Sequence, residues 1–162
     1  MIELIRLDER LIHGQIATKW SKYTGVSRIV VADDEAAESE IIKKSLLMAV
    51  PGDMKASIKK VEDAITLLND PRCETLHILV LVKNPKNMIQ VLEAVEGISR
   101  VNIGNYGRAA GAEKVERKSY GQNLYVTEEE EKLFKHIVEL SEHAFYQTMP
   151  EDPAIELKKL FA

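Results

Sequence analysis

The apolar positions of this chain fall into short, nearly continuous runs of β-branched and aliphatic residues, separated by longer stretches in which they recur every three or four positions. That alternation is the pattern of strands covered on both faces and of amphipathic helices packed over them. Residues 2–7 read as a first strand, 8–13 as a turn, and 14–23 as a helix that Gly25 closes. A second strand is predicted at 28–33 and a second helix at 35–48, stopped by Pro51 and Gly52. A strand at 54–59, a helix at 61–68, a strongly marked strand at 76–82 and a helix at 85–95 ended by Gly97 complete four strand-helix repeats. Pro85 suits the start of its helix, where an N–H would have no intrahelical partner.

Beyond that point the pattern predicts a strand at 100–103, a glycine-rich loop at 104–111 and one or two strands within 113–126. Thr127 can cap a helix whose first turn, Glu128 to Glu131, places acids at the positive end of the helix dipole. That helix should run to about 141, followed by a last strand at 143–149 and a terminal helix at 153–161. Right-handed crossovers put successive helices across the two faces of such a sheet. The expected fold is therefore α/β: one domain over residues 1–162, a doubly wound, mostly parallel open sheet with helices on both faces.

A chain of 162 residues can bury a proper core without disulfides or metal, and 45% hydrophobic with 30% charged residues is ordinary globular usage. A formal charge of -4 with interspersed signs supplies no basic field for a phosphate backbone, so nucleic acid is not an expected partner. No apolar run approaches the ~20 residues of a membrane helix and no leader pattern follows Met1, so a cytoplasmic location is expected. The single cysteine, Cys73, cannot form an internal disulfide, has no arginine five residues on to build a phosphatase loop, and reads as inert. With neither a His-x-x-x-His nor a Cys-x-x-Cys pair, neither metal nor cofactor is predicted. His77, His136 and His143 read as structural or solvent-facing.

The chemistry concentrates in the turn after the first strand. Ligands of doubly wound sheets bind at the carboxyl ends of the strands. There Arg10 precedes His13 by three residues, and His13 stands directly before Gly14, which opens a helix. Free N–H groups and the positive end of the dipole then lie where a phosphate on His13 would sit. A phosphoryl acceptor needs a neutral imidazole with one free lone pair, and transfer needs positioned donors for the equatorial oxygens. His13 offers the first and Arg10 the second, with the Gln15 amide and the Gly14 N–H as further donors. Asp8 either holds Arg10 or buttresses the imidazole. From spacing alone, a capping or hydrogen-bonding histidine is the slightly favoured reading.

The stretch Arg6-Leu-Asp-Glu-Arg-Leu-Ile-His-Gly-Gln15, followed by Trp20, resembles the phosphorylation site of IIB subunits in the mannose-fructose-sorbose family of the sugar phosphotransferase system. The similarity extends through 29–34, the Pro51 segment, 101–104 and the Met149-Pro150 turn, nearly the whole chain. The resemblance implies a phosphohistidine–sugar phosphotransferase component whose His13 is phosphorylated at Nδ1. Its implied partners are a IIA subunit as donor, the membrane subunits IIC and IID, and the sugar they carry. It also implies peripheral association with that permease and is compatible with a homodimer. Which sugar is carried is not legible.

Two other readings compete. Asp33, Asp34 and Lys83 resemble the acidic pair and lysine of a response-regulator receiver, a signalling switch, but a receiver has its acids after the first strand and its phosphorylated aspartate after the third. A helix cap is the simpler role for the two aspartates. A non-catalytic docking module is the third reading, and the His13 and Arg10 pair argues against it. Gly104, Gly107 and Gly111 read either as an ordinary turn or as a backbone approach to phosphate, with Arg108 solvated or a second anion contact. Leu11 and Ile12, two large apolar residues in a short turn, are either tucked under it or presented to the donor protein. A docking face around them is the expectation, with Trp20 at its border or in the core.

Overall fold

A computed structural model describes residues 1–108 and 116–161. Its strands and helices follow one another as β1 (Ile2–Asp8), α1 (Gly14–Thr24), β2 (Arg28–Ala32), α2 (Asp34–Glu38), α3 (Glu40–Met48), β3 (Lys55–Lys59), α4 (Val61–Leu68), β4 (Ile78–Val82), α5 (Pro85–Ala94) and β5 (Val101–Asn105). A hairpin of β6 (Lys118–Gly121) and β7 (Leu124–Val126), then α6 (Glu128–Leu140), β8 (Ala144–Tyr146), β9 (Ile155–Glu156) and α7 (Leu157–Leu160), complete the chain. Seven strands form one sheet in the order β3-β2-β4-β1-β5-β8-β9. All its pairings are parallel except β8 with β9, and β6 and β7 pair separately as an antiparallel ribbon. The mostly parallel, doubly wound sheet expected from the alternation is the observed one.

Strand alternation sorts β1 between two cores. Ile5 and Leu7 face the cluster made with α4, α5 and α6, which holds Val61, Met88 and Phe134. Leu4 faces the cluster on the other side, made with Ala17 and Trp20 of α1 and Leu46 of α3. Arg6 and Asp8 share the parity of Leu4 and so stand on the α1 face, toward the carboxyl end of β1. Full burial of side chains such as Trp20, Leu4 or Ile29 contributes about 1.5–3 kcal/mol each, enough to fix strand register around the site.

The differences from the sequence expectation have local causes. The helix predicted at 35–48 is interrupted at Ser39, which closes α2 and, by accepting from the Ile42 N–H at 3.2 Å, caps α3. Gly104 and Asn105, expected in a loop, extend β5 because they pair alongside β1 as far as Asp8. The terminal helix shrinks to α7, since Ile155 and Glu156 instead pair antiparallel with β8. Thr127 caps α6 in a reciprocal box with Glu130, as its position before the acidic turn suggests. Of the glycine-rich stretch, Gly111 lies outside the described residues, as do residues 113–115 of the predicted strand region.

Candidate active site

The turn 8–13 is drawn tight by three backbone bonds. The Leu11 N–H donates to the Asp8 carbonyl at 2.9 Å, the Glu9 N–H to the Asn105 carbonyl at 3.0 Å, and the Arg10 N–H to Asp8 Oδ1 at 2.9 Å. Leu11 takes a left-handed backbone with φ 58°, a conformation that costs an L residue energy and persists only where surroundings over-determine it. Here burial does so: Leu11 and Ile12 are 6% and 2% exposed and join the cluster of Leu4 and Trp20 beneath the turn. Gly14 follows with φ 47°, a value open to glycine, and starts α1.

His13 is the N-cap of α1, but its side chain makes no cap bond to the helix. It turns to Asp8 instead, with Nε2 3.0 Å from Asp8 Oδ2. The imidazole is only 11% exposed and the carboxylate 0%. With Nε2 as the donor to a carboxylate, the tautomer leaves the Nδ1 lone pair free. The first-turn N–H groups of α1, from Gly14 onward, have no preceding helical turn to receive them, so the helix end stays suited to an anion.

Asp8 is held from its other side by Arg6, whose Nη2 donates to Oδ2 at 3.2 Å. The Arg6 guanidinium is also fully enclosed, donating to Asn102 Oδ1, to the Gln147 carbonyl at 3.2 Å and to the Thr148 carbonyl at 3.0 Å, and it lies 4.9 Å from the Trp20 ring centre. Trp20 in turn donates Nε1–H to the same Thr148 carbonyl at 2.9 Å. A Cβ on Gly104 would overlap the guanidinium, so only glycine lets β5 pass this close to Arg6. Burial alone would raise the Asp8 carboxyl. The His13 bond, the Arg6 and His13 charges and the Arg10 N–H together outweigh it and hold Asp8 below its ordinary value. Burial lowers Arg6, opposed by Asp8.

The residues named from sequence therefore separate. Asp8 buttresses the imidazole and binds only the backbone of Arg10; its guanidinium partner is Arg6. Arg10 is exposed and lines, with His13, Glu9, Ile16, Asn105, Arg108, Asn123 and Thr148, a cleft of about 410 Å³. Gly14 and Gln15 are exposed, and neither is part of the lining. The expected docking face around Leu11, Ile12 and Trp20 does not exist: all three are core, because the left-handed Leu11 folds the turn over its own apolar residues. Sequence reading also missed the contribution of Arg6, Asn105, Asn123 and Thr148. An arginine in the interior of a largely buried strand was the available signal; the others come from chain segments far from the turn.

Asp33, Asp34 and Lys83 do not form a phosphoacceptor pocket. Asp33 caps α2 through the Ala36 N–H at 3.0 Å, Asp34 accepts from the Val61 N–H at 2.8 Å, and Lys83 pairs with Glu35 at 3.6 Å. His77 and His136 pair with surface glutamates at 2.7 Å and 3.0 Å, and the Cys73 thiol is buried against the Leu67 carbonyl. Among the described residues no cluster of metal-ligating side chains occurs, and no helix is long and apolar enough to cross a membrane.

A buried carboxylate that orients a histidine at a helix N-terminus, on the carboxyl edge of a parallel sheet, leaves one ring nitrogen open beside a place suited to an anionic group. Residues 2–162 match the family described as the PTS system sorbose subfamily IIB component. The chain is 38% identical over 161 residues to a probable phosphotransferase enzyme IIB component of Streptococcus pyogenes serotype M6, covering 99% of both chains. It is 30% identical over 162 residues to the mannose-specific EIIAB component of Escherichia coli K12, covering all of this chain and 49% of that one. The IIBSor domain of the sorbose permease from Klebsiella pneumoniae has the same fold, with a TM-score of 0.88 and 24% identity over 99% of this chain and 95% of that one. The chain belongs to the sorbose-subfamily IIB components of the sugar phosphotransferase system. It is thus a phosphotransferase component of sugar transport.

Proposed function

We propose that residues 1–162 act as one carrier domain in which His13 accepts a phosphoryl group at Nδ1 from a histidine of a IIA partner and delivers it to a sugar carried by membrane IIC and IID subunits. The observation that carries this reading is the 3.0 Å contact between Asp8 Oδ2 and His13 Nε2, which commits one ring nitrogen and frees the other. In the accepting step the Nδ1 lone pair attacks phosphorus, the N–P bond to the donor imidazole breaks, and the donor ring leaves as a neutral imidazole. His13 keeps its Nε2–H, so no proton has to leave. Positive charge develops on the His13 ring as the new bond forms, and the ionised Asp8 lies against that charge in a site of low dielectric. Delivery reverses the roles: a sugar hydroxyl attacks phosphorus and loses its proton to solvent, the Nδ1–P bond breaks, and His13 departs with its ring neutral and Nε2–H retained.

Arg10 supplies a guanidinium for the equatorial oxygens, and the first turn of α1 supplies N–H donors and a favourable dipole. The fusion named in the E. coli relative, EIIAB, supports a IIA domain as the donor. A cytoplasmic position, bound peripherally to the permease, follows from this exchange.

The test is labelling from phosphoenolpyruvate through the general phosphotransferase proteins and a matching IIA. One label is expected, lost in acid and stable in base, and absent from a folded His13→Ala variant. Persistent label on that variant would falsify the assignment.

A further inference from the structure

The β1 turn covers only one side of the cleft beside His13. We propose that the phosphoryl group on His13 is also held from the opposite side by the end of β5, through the side-chain amide of Asn105 and the guanidinium of Arg108, with Glu9 and Asn123 as positioning residues. This rests on His13 being the carrier.

The register places the first of these groups. Asp8 and Asn105 are partners at the end of the parallel β1–β5 pair, just past a register shift, and Asn105 lines the same cleft as His13, which Asp8 holds. The Asn105 amide nevertheless makes no bond to either neighbour. Its Oδ1 is buried without a partner, and its Nδ2 donates to no described residue. An unpaired buried amide is costly, and rotating it by half a turn exchanges donor and acceptor at the same place. A phosphoryl group, with three oxygens to accept, supplies the partner that the protein does not.

Arg108 is brought to the cleft by deliberate tethers. Glu9, next to Asp8 in the turn, accepts from the Gly107 N–H at 3.2 Å with one oxygen and from the Arg108 N–H at 2.9 Å with the other. Both carboxylate oxygens are thereby engaged, which weakens the repulsion that Glu9 would exert on a phosphate. The Arg108 guanidinium rests on Asn123 Oδ1 at 3.0 Å through one nitrogen, and among the described residues no other side chain takes its remaining N–H groups. Asn123 is itself fixed by donating to Thr148 Oγ1 at 3.0 Å. Arg6 and Asp8 neutralise one another, and among the described residues that line the cleft Arg10 and Arg108 are the arginines that can face the dianionic phosphoryl group.

The deciding experiment is single-turnover transfer from phosphorylated IIA to the full chain over a range of IIA concentrations. Inorganic phosphate serves in parallel as a binding probe, read by the His13 ring signals in NMR. Arg108→Ala and Asn105→Ala should each slow transfer at saturating donor by about tenfold or more. Each should also raise the phosphate concentration that shifts the His13 signals. Arg108→Lys should recover part of the loss. Asn123→Ala should slow transfer too, and add little when combined with Arg108→Ala, because both remove the same guanidinium. The proposal is overturned if His13 is labelled normally while both single variants transfer at the wild-type rate. It is equally overturned if Arg108→Ala only raises the half-saturating IIA concentration, which would make Arg108 a docking residue. Absence of label on wild-type His13 would instead sink the carrier reading itself.

Discussion

Asp8 Oδ2 lies 3.0 Å from His13 Nε2 and 3.2 Å from Arg6 Nη2, so one carboxylate oxygen joins the His13 imidazole to a guanidinium that solvent does not reach. The first consequence concerns the rate. Asp8→Asn keeps the shape but removes the charge that faces the developing imidazolium and lets the amide accept or donate. Transfer to His13 should fall by about 100-fold or more, measured by rapid quench with phosphorylated IIA. A loss of less than twofold would show that the carboxylate does not matter to the chemistry.

The same pair makes a pH prediction. The Asp8 carboxyl is lowered from its ordinary 3.8, so its ionised form contributes stability that is fully present above that value and is lost as pH falls through the folded pKa. At neutral pH, Asp8→Asn should cost on the order of 3 kcal/mol because it leaves the buried Arg6 uncompensated. In urea titrations at stepped pH, the gap between wild type and variant should narrow below about 3.8. A gap that stays constant through the acid range would contradict the depressed carboxyl.

The Arg10 backbone N–H bonds to Asp8, and its exposed guanidinium has no hydrogen-bond partner among the described residues. Arg10→Ala should therefore leave the melting temperature nearly unchanged and cost about 2–4 kcal/mol of barrier stabilisation. Arg10→Lys should recover only part of it, since lysine keeps the charge without the fork. Wild-type rates in both would make Arg10 a bystander.

Leu11 gives an opposite pattern. It is buried, so Leu11→Asp should destabilise the protein by about 3 kcal/mol or more, seen in thermal unfolding. The half-saturating concentration of IIA should change little in the fraction that stays folded. Normal stability with a weakened response to IIA would restore Leu11 to a docking surface.

Gly104→Ala tests the packing behind Asp8. The added methyl would fall on the Arg6 guanidinium, which is enclosed and cannot swing away. A loss of about 2 kcal/mol in stability is expected, together with slower transfer as Arg6 shifts off Asp8. Wild-type stability would mean that β5 yields more easily than its pairing with β1 suggests.

The sequence by itself determined the fold class and pointed to the turn proposed as the site, because both depend on local signals. Apolar runs and helical periods mark the strand-helix repeats, and Asp8, Arg10, His13 and Gly14 are close neighbours along one turn. It also suggested the breaks at Gly25 and Thr127, where single residues set the local backbone. Side-chain partnerships were decided by the tertiary structure alone. Asp8 has Arg6 and Arg10 at equal spacing, and only strand parity, which sends Arg6 to the α1 face beneath Asp8, chooses between them. Leu11 and Ile12 are equally apolar on a surface or under a turn; the positive φ of Leu11 and the depth of the α1 cluster put them inside. Asn105, Arg108, Asn123 and Thr148 reach the cleft because β5 pairs beside β1 and the β6–β7 turn and the segment after β8 come to its end, contacts that no spacing along the chain encodes.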